Sequence, residues 1–327
     1  MKPGTFAGYL SADFPSQINM DITEFCNLAC IHCPYEAVTK IKGKARRHLD
    51  VALHHKLIDE IAEIGLPACQ FIRYTGDGEP LLHPDHAELL GYAVKRTGLP
   101  VNLTTNGLLL DERRARILVD HGVSVFDISL DAHLPETYAK VRVGGDLNLA
   151  RANVLRLIEL AGKAAHAPKV MVSFVRQPLN DGEAEAFQTF WEQAGADFVV
   201  IRRQHSCAGS MAEMAKTMWA AAGARTPCLY PWERLVIKPD GKFSFCPADW
   251  LHQAELGDIA TSTVAEVWTG PAMAALRQAH CDNDYGDFPF CAQCPDWSAI
   301  RWPSEGRSYA TVMREFKERK TSGGKGE

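Results

Sequence analysis

Cys26, Cys30 and Cys33 fall within the stretch "ITEFCNLACIHCPYEA", residues 22–37, spaced Cys-x3-Cys-x2-Cys with no fourth cysteine nearby. Thiols gathered so tightly suit one metal centre held by one loop. A closed tetrahedral site needs four protein ligands, so three leave two readings open. A distant His or Cys completes a structural zinc site, and His32 is at hand beside the third cysteine. Alternatively the trio holds an iron–sulfur cube, in which every iron needs one outside ligand. Three thiolates then leave one iron open, and that position can bind a substrate or cofactor directly.

A second set is spread more widely, at Cys228, Cys246, Cys291 and Cys294. Two strand-like runs flank "PDG" between the first two of these, so a hairpin turning at Gly241 brings Cys228 and Cys246 together. "FCAQCPDW" supplies the remaining pair. Four thiolates suit zinc as well as an iron–sulfur cluster. Of the other cysteines, Cys69 reads as a small core residue, and Cys281 sits in a polar stretch with no assigned role. Cys207 follows a strand in "VVIRRQHSCAGS", which places a free thiol at the predicted active rim. On that strand Arg202 and Arg203 point to opposite faces, so at most one faces inward. Arg203 is the candidate substrate contact, with Asp127 and Asp249 as candidate proton acceptors.

Positioning these groups requires a large core, which 327 residues can bury. A hydrophobic share of 46% and a charged share of 23% are those of a globular chain. A net charge of −5 gives no electrostatic attraction to nucleic acid or anionic membranes. No apolar run approaches the roughly 18 residues that span a bilayer, and "MKPGTFAGYL" lacks the apolar block of a secretory signal. A cytoplasmic location follows, and there clustered cysteines read as metal ligands rather than disulfides.

Strand-like runs at 18–23, 69–76, 101–106, 124–130, 169–175 and 197–203 alternate with helical patterns at 50–64, 84–97, 111–121, 147–162 and 183–194. Six such alternations predict an α/β fold with a parallel sheet and helices over its outer face. Ligand chemistry in such sheets sits at the carboxyl ends of the strands. The trio, "GDGEP", "TTNG" and "SLDA" all fall at those ends.

The trio after a first strand, joined to "TGDGEP" (75–80) after the second, resembles the radical S-adenosylmethionine (SAM) enzymes over residues 18–205. The resemblance implies a partial (β/α)6 TIM-like barrel whose [4Fe–4S] cluster leaves one iron open for SAM. Reductive cleavage then yields a 5′-deoxyadenosyl radical that takes hydrogen from an unactivated C–H bond. It also implies cofactor contacts: His32 near the adenine, Gly76, Asp77, Gly78 and Glu79 at the methionine amino group, Ser129 and Asp131 at the ribose, and Arg142 at the carboxylate. The second set resembles the shortened SPASM extension called a twitch domain, with one auxiliary [4Fe–4S] cluster on its four cysteines.

That resemblance divides the chain into an N-terminal segment 1–17, the barrel 18–205, a linker 206–227 and a twitch domain 228–307. A C-terminal helix and disordered tail, 308–327, follow. The implied reaction is oxidation of a carbinol C–H of a small sugar- or aminocyclitol-like substrate to a ketone, with the auxiliary cluster as electron acceptor. Epimerisation with Cys207 as hydrogen donor is one alternative, and a maturase acting on a ribosomal peptide or protein side chain is another. A first strand beginning by residue 18 leaves no room for a leader-recognition domain, which favours the small substrate. A flavodoxin or ferredoxin is the expected electron donor.

Overall fold

The computed structural model describes residues 10–43 and 46–300; the expected C-terminal helix and tail lie outside the described residues. Six parallel strands follow the expected alternation: β1 (Gln17–Met20), β2 (Phe71–Tyr74), β3 (Val101–Thr105), β4 (Val125–Ser129), β5 (Lys169–Arg176) and β6 (Phe198–Arg203). Helices Val51–Glu60, His86–Thr97, Glu112–Asp120, Leu147–Lys163 and Ala184–Gln193 fall between them. Several start at a carboxylate that takes up otherwise unbonded amides. Asp50 accepts from the Ala52 and Leu53 N–H groups, Asp146 from those of Asn148 and Leu149, and Asp111 from that of Arg114.

Strand alternation sorts the side chains into two faces. Ile18, Met20, Ile72, Tyr74, Val101, Leu103, Phe126, Ile128, Val170, Val172 and Phe174 join the core beneath the helices. The opposite, inner face mixes apolar residues such as Val125 and Met171 with a polar group. Arg73 on β2, Thr104 on β3, Asp127 on β4, Ser173 on β5 and Arg202 on β6 form one connected group across it. A pure core would have been apolar on both faces, so the inner face is built to meet something polar.

The C-terminal region departs from the expected arrangement. The expected hairpin forms, as β7 (Arg234–Ile237) and β8 (Lys242–Ser244), with β9 (Glu255–Asp258) beyond it. Instead of forming a sheet of its own, β7 pairs in parallel with β1, Gln17 opposite Arg234 and Met20 opposite Ile237. The result is one nine-stranded sheet in the order β9-β8-β7-β1-β2-β3-β4-β5-β6. Leu235 and Ile237 continue the barrel's core, which explains the join: their apolar face needs the same cover as Ile18 and Met20. The expected linker contains a helix, Ala212–Ala221. Among the described residues no helix is long and apolar enough to cross a membrane.

Candidate active site

The cysteine loop leaves β1 and is pinned at several points. Cys26 N–H donates to the Tyr35 hydroxyl at 2.8 Å, and Arg46 Nη1 lies 2.6 Å from the same hydroxyl. Cys33 N–H returns to the Cys30 carbonyl at 3.1 Å. Ala29–Cys30 pairs antiparallel with Arg142–Val143, which carries Arg142 to the trio. Burial pushes the Cys26 thiol up to about 12 and raises Cys30; it raises Cys33 further, with neighbouring cysteines adding to the effect. Only a bound cation would make thiolates of these groups at neutral pH.

The "GDGEP" loop lies directly beneath, and two of its glycines are required by that contact. A Cβ on Gly76 would stand 2.0 Å from Asp21 Cγ, and one on Gly78 2.2 Å from the Thr23 carbonyl oxygen. Glu79 N–H donates to the Phe25 carbonyl at 2.8 Å, stitching the two loops together. The Glu79 carboxylate accepts from Thr105 Oγ1 at 2.6 Å, Asn106 N–H at 2.8 Å and Leu81 N–H at 3.3 Å. It therefore ties its loop to the end of β3. The Asp77 side chain turns to Lys238, 2.9 Å away.

Asp131 gathers several partners. It is fully buried with φ +60°, and its carboxylate takes Arg142 Nε at 2.9 Å and Val175 N–H at 2.6 Å, with His32 Nε2 at 3.3 Å. It orients His32 and Arg142. Gln177 Nε2 lies 3.2 Å from His32 Nδ1, and Asn180 Nδ2 donates to the carbonyls of Asp131 and Val175. Burial pulls His32 down to about 4, so its ring is neutral; with Gln177 donating to Nδ1, Nε2 carries the proton toward Asp131. Gln177 and Asn180 had no sequence signal beyond following β5. Ser129 ends β4 one inward step above Asp127, roughly 7 Å along the strand.

Deeper on the inner face, Asp127 sits between two arginines. Arg202 Nη2 lies 2.8 Å and Arg73 Nη2 3.1 Å from its Oδ2, and Ser173 Oγ donates to Oδ1 at 2.9 Å. Burial alone would raise this carboxyl, yet Arg202 and Arg73 outweigh it and hold it below the usual range. Arg203 is exposed, and Arg202 is the arginine that faces inward.

The four later cysteines come together. The hairpin strands end short of them, so Cys228 and Cys246 flank the hairpin rather than face each other across it. Burial raises all four thiols, and Cys228 and Cys246 each register the charges of Cys291 and Cys294. Among the described residues no three His, Cys, Asp or Glu side chains close tightly enough to hold a single ion. As a donor set, four thiols so gathered suit zinc as well as an iron–sulfur cluster.

Cys207 is buried, with its Sγ 4.0 Å from the His32 carbonyl oxygen, and it registers charge from Cys294 while Cys33 registers its own. It occupies the space between the two cysteine sets. Its loop is left-handed at Cys207, Ala208 and Gly209, and is held by Asp296, which accepts from Ser206 and Ala208 N–H groups at 2.7 Å each. Cys69 lies in the core and Cys281 is exposed. Asp249 caps a turn, accepting from Gln253 and Ala254 N–H groups.

The model for the radical SAM superfamily matches residues 20–189, and that for the SPASM iron–sulfur cluster-binding domain matches residues 228–295. A probable GTP 3′,8-cyclase of Methanococcus maripaludis is 28% identical over 182 residues, 56% of this chain and 57% of that protein. Mycofactocin maturase MftC of Mycobacterium ulcerans is 30% identical over 246 residues, 75% of this chain and 61% of that protein. The chain thus spans about three-fifths of the length of these curated relatives. Among solved structures, Streptococcus suis SuiB bound to the precursor peptide SuiA matches 92% of this chain and 73% of its own, at TM-score 0.65 and 14% identity. BtrN in complex with AdoMet and 2-DOIA matches 85% and 92%, at TM-score 0.57 and 16% identity. At these identities the likeness is one of fold. The cysteine loop, the glycine-rich loop beneath it and the matched domain models converge, and the chain belongs to the radical SAM superfamily, with a SPASM-type iron–sulfur domain after its barrel.

Proposed function

We propose that this protein is a radical SAM dehydrogenase that converts a carbinol carbon of a small polar substrate, sugar- or aminocyclitol-like, to a ketone. The observation that carries the reading is the polar group on the inner face of the barrel, where Arg73, Thr104, Asp127, Ser173 and Arg202 connect below the cysteine loop. Such a wall offers hydrogen bonds to hydroxyl and amino groups and would leave an apolar substrate unmatched. With clusters on Cys26, Cys30 and Cys33 and on Cys228, Cys246, Cys291 and Cys294, and with SAM bound at the first, the bound groups supply hydrogen abstraction and accept the remaining electron.

The chain's own residues do the rest on this reading. His32 and Arg142, fixed by Asp131, and Ser129 line the cofactor; the backbone of Gly76–Glu79 forms its floor. Arg202 and Arg73 orient the substrate's oxygen atoms. Residues 18–205 make up the catalytic unit and 228–307 the auxiliary one, and a flavodoxin or ferredoxin supplies electrons. BtrN, whose structure holds AdoMet and 2-DOIA, matches over most of both chains, which supports a small ligand.

A second reading rests on MftC and on SuiB with its precursor peptide: a maturase that opens the same polar chamber to a peptide. A third rests on the place of Cys207 beside His32, where the thiol would return a hydrogen atom and invert a stereocentre. The test is anaerobic incubation of reduced, cluster-loaded protein with SAM and a panel of cyclitols and amino sugars. Dehydrogenation predicts 5′-deoxyadenosine and a ketone in equal amounts, unaffected by Cys207→Ala. Deuterium uptake from solvent that Cys207→Ala abolishes would instead mean epimerisation. Turnover confined to peptide substrates would overturn the small-substrate reading.

A further inference from the structure

A buried ionic group joins the C-terminal extension to the floor of the cofactor site. Lys238, just past β7, is 1% exposed; its Nζ lies 2.9 Å from Asp77 Oδ1 and 3.5 Å from Asp21 Oδ2. Asp21 and Asp77 are 2% and 5% exposed, and Asp21 Oδ2 also accepts the Asp77 N–H at 3.0 Å. On the other side of Asp77, His252 Nε2 stands 3.8 Å from Oδ2, and His252 Nδ1 is 2.6 Å from Asp240 Oδ2. Burial, reinforced by Asp77 and opposed by Lys238, pushes Asp21 up to about 8.

Packing does not call for a lysine here. Leu235 and Ile237 already supply the core face of β7, and an apolar side chain of similar volume would avoid the cost of burying an amine. What the amine touches is the pair of carboxylates on either side of Gly76. Asp21 presses on Gly76 itself, and Asp77 is the next residue of the loop. Without Lys238 the buried Asp77 carboxylate would lose its charged partner beside that glycine.

We propose that Lys238 is a positioning residue for the cofactor: by pairing with Asp21 and Asp77 together it holds Gly76–Glu79 in the form that receives SAM, so the extension governs SAM affinity at the first site. This rests on reading "GDGEP" as the SAM-binding loop. The contact joins positions 161 apart in the chain, so the extension is needed for the barrel's own cofactor as well as for a second cluster.

The test is SAM affinity of cluster-loaded protein by anaerobic equilibrium dialysis, with iron content measured on the same samples. Lys238→Met should weaken SAM binding at least about tenfold at unchanged iron content. Lys238→Arg keeps the charge and should stay within a few-fold of wild type. Asp77→Asn with Lys238→Met removes the uncompensated buried charge and should recover much of the loss, which a general packing defect would not. Wild-type affinity in Lys238→Met, or equal loss in a folded Lys238→Arg, overturns the proposal alone. If wild-type protein with full iron does not bind SAM, the reading of the loop fails with it.

Discussion

Asp131 and Arg142 form a buried ion pair, Nε 2.9 Å from Oδ2, at the point where the cysteine loop meets the end of β4. The same carboxylate lies 3.3 Å from His32 Nε2, so one residue aligns two of the proposed cofactor contacts. Removing it leaves a buried guanidinium without this partner. Asp131→Ala should cost about 3–5 kcal/mol in denaturant unfolding. A cost below about 1 kcal/mol would mean that the pair does not organise the site.

Arg202 and Arg203 should separate cleanly. Arg203→Gln alters an exposed side chain and should change stability by less than about 0.5 kcal/mol, with turnover intact. Arg202→Gln takes from Asp127 the larger of its two neutralising charges. It should cost about 1–3 kcal/mol and reduce turnover of any polar substrate. Equal effects from the two variants would contradict the inward placement of Arg202.

The difference between these neighbours shows where sequence runs out. Strand alternation puts them on opposite faces, but both faces of "DFVVIRR" are apolar up to that point, so the pattern alone does not choose. The cysteine loop and "GDGEP" were legible because their chemistry is local, with ligands and glycines a few positions apart. Gln177, Asn180, Asp296 and Lys238 were not. Each reaches a group 49 to 161 positions away, through contacts that exist only once the sheet is closed. The parallel pairing of β7 with β1 was hidden for the same reason, since a hairpin signal says nothing about what lies on its far side.

Asp296 should control the reactivity of Cys207. In cluster-loaded protein the ligand cysteines are shielded, Cys69 is in the core and Cys281 is exposed. Brief alkylation followed by peptide mapping should label Cys281 in wild type and leave Cys207 unmodified, since burial raises that thiol to about 12. Asp296→Ala releases the Ser206 and Ala208 amides and should add Cys207 to the labelled set. Labelling of Cys207 at the same rate in both proteins would refute the clamp.

Stability should carry a signature of His252. Burial alone would lower it, but the hydrogen bond to Asp240 and the nearby Asp77 carboxylate raise it from 6.5 to about 9. A folded value above the unfolded one gives a contribution fully present below about pH 6.5 and lost as pH rises through about 9. Unfolding free energy should therefore fall across that window, and His252→Gln should flatten the fall. An unchanged slope in the variant would remove His252 as its source.

An open coordination position at the first cluster underlies the proposed chemistry, and SAM cleavage reports it most directly. Protein loaded with iron and sulfide, reduced anaerobically and given SAM, should release 5′-deoxyadenosine, and Cys30→Ala should release none. Fully loaded, reduced wild-type protein that leaves SAM intact would contradict it.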